Sequence, residues 1–138
     1  MSFLLDTNVV CELRKRRRCH PRVAAWFAGL DDQEIHLSVL VIGELRQGVE
    51  RLRGRDPRSA AALDRWLSAV VMAHGDRIVA VDRSVAEEWG RLGARRALPP
   101  VDGLLAATAR VHGLTLVTRN VKHVEPTGVS CLNPFEPA

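Results

Sequence analysis

Val101-Asp-Gly-Leu-Leu-Ala-Ala-Thr-Ala-Arg-Val-His-Gly-Leu-Thr-Leu-Val117 decides the architecture. From Val101 to His112 the chain is apolar around most of a helical circumference, the mark of a helix buried on nearly every side. Gly113 follows as a C′ cap, where a left-handed residue readily ends a helix. Leu114 to Val117 is a short, strongly apolar run and reads as a strand. A buried helix that feeds a buried strand is the unit of a parallel sheet covered on both faces.

Moving outward in both directions, the same alternation recurs. Pro99-Pro100 punctuates the chain ahead of the buried helix, and Ile78-Val-Ala-Val81 reads as a strand. Asp82 caps a helix that carries Val85, Trp89 and Leu92. A helix over about 58–73 presents Ala62, Leu63, Trp66, Leu67 and Val70 on one side, after a break at Gly54, Asp56 and Pro57. Ile35, Leu37 and Val39 alternate as a strand does, and Ser38 caps a helix over 39–53 with Leu45, Val49 and Leu52 on its apolar face. At the start, Phe3 to Leu5 forms a very short strand that stops at Asp6. A helix is expected from Thr7 to Arg18, and a second from Arg22 to Leu30 with Val23, Trp26, Phe27 and Leu30 on one face. Downstream, Thr118-Arg119-Asn120 closes the best strand and Val129-Ser-Cys-Leu132 forms a weaker one. The expectation is an α/β fold, a three-layer α/β/α sandwich with a central, mostly parallel sheet. Ligands of such folds bind at the carboxyl ends of the strands.

The 138 residues fit one domain over 1–138, and 46% hydrophobic with 26% charged residues is an ordinary folded composition. The net charge is +4, and nearly all of the basic side is arginine, with only Lys15 and Lys122 as lysines. Arginine's planar fork matches phosphate oxygens, which weakly favours a nucleic acid or an acidic protein as partner. The three cysteines, Cys11, Cys19 and Cys131, show no CxxC pairing, so neither a disulfide framework nor a zinc knuckle is expected. Cys11, in an apolar stretch, reads as a small buried hydrophobe. The N-terminus has no signal-like run and no stretch is long and apolar enough to span a bilayer, so a cytoplasmic protein without a membrane partner is expected.

Four polar features fall at one edge of the expected sheet: Asp6 after the first strand, Glu44 near the start of the helix after the second, Asp102 in the first turn of the buried helix, and Asn120 after the last strong strand. Each has a plain structural use. Asp6 can cap a helix, Asp102 can favour a helix dipole, Glu44 can pair with Arg51 on a solvated face, and Asn120 can form a turn. Together the three acids, each inside or against apolar sequence, would repel one another and resist ionisation. A hard divalent cation removes that penalty, and Mg²⁺ or Mn²⁺ suits oxygen ligands. Competing signatures are absent: there is no GxxxxGK[ST] loop, GxSxG elbow or HExxH pair, and Asp6-Thr7-Asn8 lacks the second aspartate of a DxD phosphatase.

The pieces Leu4-Leu-Asp-Thr-Asn-Val9 with Glu12-Leu13, Ser38-Val-Leu-Val-Ile-Gly-Glu-Leu45, Asp102-Gly-Leu-Leu-Ala-Ala-Thr-Ala109, Leu116-Val-Thr-Arg-Asn120 and Gly128-Val129 with Asn133-Pro134-Phe135 occur in one order. In that order the chain resembles the PIN-domain ribonucleases, within them the toxin halves of VapBC-type toxin–antitoxin pairs, over essentially its whole length. The resemblance implies an endoribonuclease that cuts RNA with Mg²⁺ or Mn²⁺, a homodimer, and a cognate antitoxin that covers the active site. It maps the family's acids onto Asp6, Glu44 and Asp102 as metal ligands, and a fourth acidic position onto Asn120. An amide there brings no negative charge, which implies weaker or single-metal binding. It also leaves open a rival reading, a catalytically weak or inactive domain that binds nucleic acid or an antitoxin.

Under the ribonuclease reading Thr7, Asn8 and Thr118 brace the acids, and Arg14, Lys15, Arg16, Arg17, Arg18 and Arg119 meet RNA phosphates. His123, close behind Asn120, reads as a plain surface histidine, with contact to substrate or partner as the alternative. With no tyrosine, three tryptophans and three phenylalanines, base stacking is a poor mode of recognition and a structured RNA read by shape is compatible.

Overall fold

The fold is described by a computed structural model that covers residues 1–137; Ala138, the last residue of the expected domain, lies outside the described residues. Five short parallel strands form one sheet: β1 (Phe3–Leu5), β2 (Ile35–Ser38), β3 (Ile78–Val79), β4 (Thr115–Val117) and β5 (Cys131–Leu132), in the order β3-β2-β1-β4-β5. The register pairs Leu4 with His36 on one side and with Leu116 on the other, so β1 is the centre of the sheet. Leu4, Ile35, Leu37 and Leu116 are almost wholly buried.

The helices are α1 (Thr7–Arg14), α2 (Pro21–Ala28), α3 (Val39–Arg53), α4 (Pro57–His74), α5 (Arg83–Arg95), α6 (Pro100–His112) and the single-turn α7 (Val121–Val124). Right-handed crossovers put α1 to α4 on one face and α5 to α7 on the other. The helix contacts follow that division: α1 packs on α2 and α3, α3 on α4, α5 on α6, and α6 on α7. The three-layer sandwich read from the sequence is therefore the fold. Because the chain leaves β1 for β2 on one side and returns to β4 on the other, the strand order reverses at β1 and β4. Folds of this kind bind ligands in a crevice there, at the carboxyl ends of the strands.

Local chemistry explains the boundaries. Ser38 accepts the Leu40 N–H at 3.0 Å and starts α3. Gly113, at φ +64°, ends α6 in the left-handed conformation, and the Leu114 N–H turns back to the Ala109 carbonyl at 2.8 Å. Gly103 lets α5 lie close on α6: a Cβ there would stand 3.2 Å from the Trp89 ring. The inner face of α6 is buried from Leu105 through Ala109.

Three expectations need correction. The first helix stops at Arg14 rather than Arg18, and Arg16–Arg18 forms a separate 3-10 turn with Arg16 at φ +52°. Five successive cations wound into α1 would set Arg14 over Arg17 and Arg18, a like-charge stack that the turn avoids. Cys11 is exposed, not buried, because Val9 and Val10 take the inner face and the next residue is rotated about 100° away. The chain after Asn120 also forms α7 and a 3-10 turn at Glu125–Thr127, where the sequence offered no element.

Candidate active site

Asp6 is the centre of the crevice. Its N–H donates to the Val117 carbonyl at 2.9 Å, which fastens the end of β1 to the end of β4. Its side chain caps α1: Oδ1 accepts the Thr7 N–H at 2.7 Å. Oδ2 accepts the Thr118 hydroxyl at 2.7 Å and the Asn8 amide at 3.3 Å. Asn8 Oδ1 in turn accepts the Arg119 N–H at 3.2 Å, and Thr118 Oγ1 accepts the Asn120 N–H at 3.0 Å. Residues more than a hundred positions apart are thus latched together, and Thr7, Asn8 and Thr118 all donate hydrogen bonds to Asp6.

The carboxyl of Asp6 is held above the usual aspartate range. Burial is the main cause. The bonds from Thr118 and Thr7 oppose it, and the charges of Asp102 and Glu44 add to it. The electrostatics thus couple three acids carried by β1, α3 and α6.

Those three differ in setting, although each lies inside or against apolar sequence. Asp6 is buried, Asp102 half-buried and Glu44 exposed. Glu44 lies in the second turn of α3 and accepts the Thr7 hydroxyl at 2.6 Å, so Thr7 touches both Asp6 and Glu44. Asp102 lies in the first turn of α6, with Oδ2 3.2 Å from Nδ1 of His123 on α7. His123 is therefore not a plain surface histidine. Sequence gave no signal for this contact, because it depends on how α7 folds back over α6. Among the described residues no three His, Cys, Asp or Glu side chains are already gathered closely enough to hold an ion. The donor chemistry nevertheless fits a hard cation that keeps much of its water: all three groups are carboxylates, and the central one is destabilised by the other two.

Asn120 begins α7 at the exposed lip of the crevice, placed through its backbone bond to Thr118. Beside it is a cleft of about 910 Å³ lined in part by Arg22, Trp26, Arg119, Lys122 and His123. Arg119 is fixed there, its guanidinium 3.9 Å from the centre of the Phe135 ring. Arg22 and Lys122 escaped the sequence reading because neither belongs to a charge run. Of the run itself, Arg14 lies over the Trp66 ring at 5.4 Å and Lys15 pairs with buried Glu12 at 3.0 Å. Arg16, Arg17 and Arg18 are exposed.

Comparison with known proteins follows the same lines. The family model described as PIN domain matches residues 3–126. The chain is 30% identical to the VapC ribonuclease Y4jK of Sinorhizobium fredii over 99% of each chain. It is 30% identical to toxin FitB of Neisseria gonorrhoeae over 96% of this chain and 98% of that one. A crystal structure of FitAcB from Neisseria gonorrhoeae superposes with a TM-score of 0.89, at 30% identity over 98% of this chain and 99% of that one.

Proposed function

Because the chain belongs to the PIN-domain family, among its VapC-type toxins, we propose that it is a Mg²⁺- or Mn²⁺-dependent endoribonuclease that hydrolyses RNA phosphodiester bonds as the toxin of a type II toxin–antitoxin pair. In this reading residues 1–138 act as one nuclease domain. The observation that carries it is the buried Asp6 carboxyl, raised by burial and by the charges of Asp102 and Glu44 at the switch point of the sheet.

Asp6, Glu44 and Asp102 would hold the ion. Such an ion, when bound, makes a water acidic enough to attack phosphorus and draws off the charge that gathers on the phosphoryl oxygens. The chain's own groups do the positioning. Thr118, Asn8 and the Thr7 N–H fix both oxygens of Asp6, so the central ligand is oriented before anything binds. Thr7 sets Glu44, and His123 sets Asp102. Asn120 offers an uncharged amide at the lip to orient a water or a phosphate oxygen. Arg119, held on Phe135, neutralises a substrate phosphate beside the acids, and Arg16 to Arg18, with Arg14 and Lys15, extend the cationic surface.

The cognate antitoxin would place a basic side chain against the acids and an amphipathic helix on an apolar surface; exposed Val71 and Met72 on α4 offer apolar area of that kind. A homodimer in the cytoplasm completes the proposal. Among the described residues no helix is long and apolar enough to cross a membrane.

The test is cleavage of cellular RNA by the purified protein with Mn²⁺, with EDTA, and with Asp6→Asn. EDTA should stop cutting, and Asp6→Asn should lower it by at least a hundred- to thousandfold, on the order seen when one electrostatic stabiliser is removed from an active site. Mn²⁺ should raise the thermal midpoint of the parent and not of the variant. Undiminished cutting by Asp6→Asn would refute the mechanism. RNA binding without cutting under any metal would favour the inactive, binding-only domain that Asn120 leaves open.

A further inference from the structure

A second one-sided cluster of charge lies away from the acids. A cleft of about 560 Å³ at the end of α5, beside the end of α6 and the Glu125–Thr127 turn, is lined by Arg91, Arg95, Arg96 and Arg110. The acid among its lining residues is Glu88. Glu88 receives the Arg91 Nε at 2.9 Å and the Arg110 Nε at 2.8 Å, and Arg110 also donates to the Thr127 carbonyl at 3.2 Å. One carboxylate therefore fixes two guanidinium groups without neutralising the set. Arg95 and Arg96 have no acidic partner among the described residues. The larger cleft beside the acids, by contrast, sets Arg22, Arg119 and Lys122 against Glu125 and Glu136.

On the premise that the chain cuts RNA, we propose that this arginine cleft is a second docking site for the phosphate backbone of the substrate, separate from the acidic crevice. Four planar forks in one cleft suit phosphate oxygens. The rest of the lining, Leu92, Ala94, Pro126 and Thr127, has no aromatic ring on which a base could stack, so the cleft contacts backbone and leaves sequence unread. Helix α6 fixes the spacing. Asp102 stands in its first turn and Arg110 eight residues later, about 12 Å along the axis at the α-helical rise. At roughly 3.4 Å per stacked nucleotide, that separation is three to four nucleotides from the cut. A polyanion leaving the crevice along α6 meets these cations next. The acids would hold the metal, whose charge would attract the scissile phosphate, and the arginines hold the neighbouring strand.

The probe is a fluorescein-labelled RNA hairpin of about twenty nucleotides, its binding to the full chain followed by anisotropy in EDTA as salt is varied. Arg95→Gln with Arg96→Gln is the informative pair, since both side chains are exposed and neither supports Glu88. The double variant should bind the hairpin about tenfold more weakly, with a salt slope lower by about one to two. Its Mn²⁺-induced thermal shift should match the parent, as should its mass by analytical ultracentrifugation. An unchanged slope would overturn the proposal. So would a change in mass that accounts for the lost binding, which would make the cleft a contact between protein copies. Because the binding is read in EDTA, failure of the ribonuclease reading shows separately, as Asp6→Asn that still cuts.

Discussion

The two ends of α1 each carry a buried carboxylate, and the two are shifted in opposite directions. Asp6 is 7% exposed and Glu12 is 8% exposed. What differs is whether desolvation or the neighbours of each prevail. Glu12 accepts the His20 N–H at 2.9 Å and the Lys15 ammonium at 3.0 Å, and these bonds hold its carboxyl below the usual glutamate range. Asp6 also accepts several hydrogen bonds, but its desolvation outweighs them, the charges of Asp102 and Glu44 add to it, and its carboxyl stays above its usual range. Glu12 is complete: its charge is matched, and its task is to tie the Arg16–Arg18 turn back to the helix. Asp6 is incomplete, and a cation would complete it. A buried acid thus marks a functional site when the fold has placed like charge beside it.

The widest separation should come from removing the main donor to Asp6 and, at the other end, Glu12 itself. Thr118→Val deletes the hydroxyl that bonds Asp6 and leaves a buried oxygen short of a donor. It should cost about 1–3 kcal/mol of unfolding free energy in urea, and cleavage per folded molecule should fall at least about tenfold. Glu12→Ala deletes the acceptor for His20 and should lower stability by a similar amount, about 1–3 kcal/mol. Its cleavage per folded molecule should stay within about threefold of the parent, a change worth less than one kcal/mol of barrier. If Glu12→Ala lost cleavage as Thr118→Val does, the contrast between a structural and a functional acid would collapse.

Acidity sharpens the comparison next. In metal-free protein the Asp6 proton is held more tightly folded than unfolded. Stability from that group is therefore greatest below the ordinary aspartate range and falls as pH rises through its raised value. Glu12 behaves oppositely: its contribution is present above the ordinary glutamate range and is lost as pH falls through its lowered value. Urea midpoints across the acid range in EDTA should show both trends. Asp6→Asn should flatten the decline on raising pH, and Glu12→Gln the decline on lowering it. Identical pH profiles for the two variants would contradict the opposite shifts.

Sequence disclosed the fold where one local rule sufficed. The apolar circumference of α6, the cap at Gly113 and the hydroxyl of Ser38 each fix a boundary through neighbours a few residues away. It pointed to the candidate acids through their shared place at one edge of the expected sheet, although each alone has a plain structural use and Asp6 does cap α1. What it withheld depends on contacts between distant segments. Asp6 and Thr118 meet because β1 lies beside β4, and strand order is not written in periodicity. Cys11 was misplaced because sequence neighbours of a helical residue face elsewhere. His123 reaches Asp102 only because α7 packs on α6. The arginines of the α5–α6 cleft are scattered singly or in a pair along the chain, so no run announces them.

The smallest effect tests the least secure part of the crevice. Thr7 joins the braced centre to the loose rim: its N–H donates to the capping carboxylate of Asp6, and its hydroxyl donates to Glu44. Thr7→Val removes only the second of these, because the backbone donor remains. The Thr7–Glu44 bond is exposed, so water can replace it, and the variant should lose no more than about 0.5–1 kcal/mol of stability. Glu44 would then swing freely while Asp6 stays fixed. Mn²⁺ affinity by calorimetry should fall by several-fold in Thr7→Val, with the pH profile of metal-free stability close to that of the parent. A variant with parental Mn²⁺ affinity would remove Glu44 from the set that holds the ion and leave Asp6 and Asp102 to do so alone.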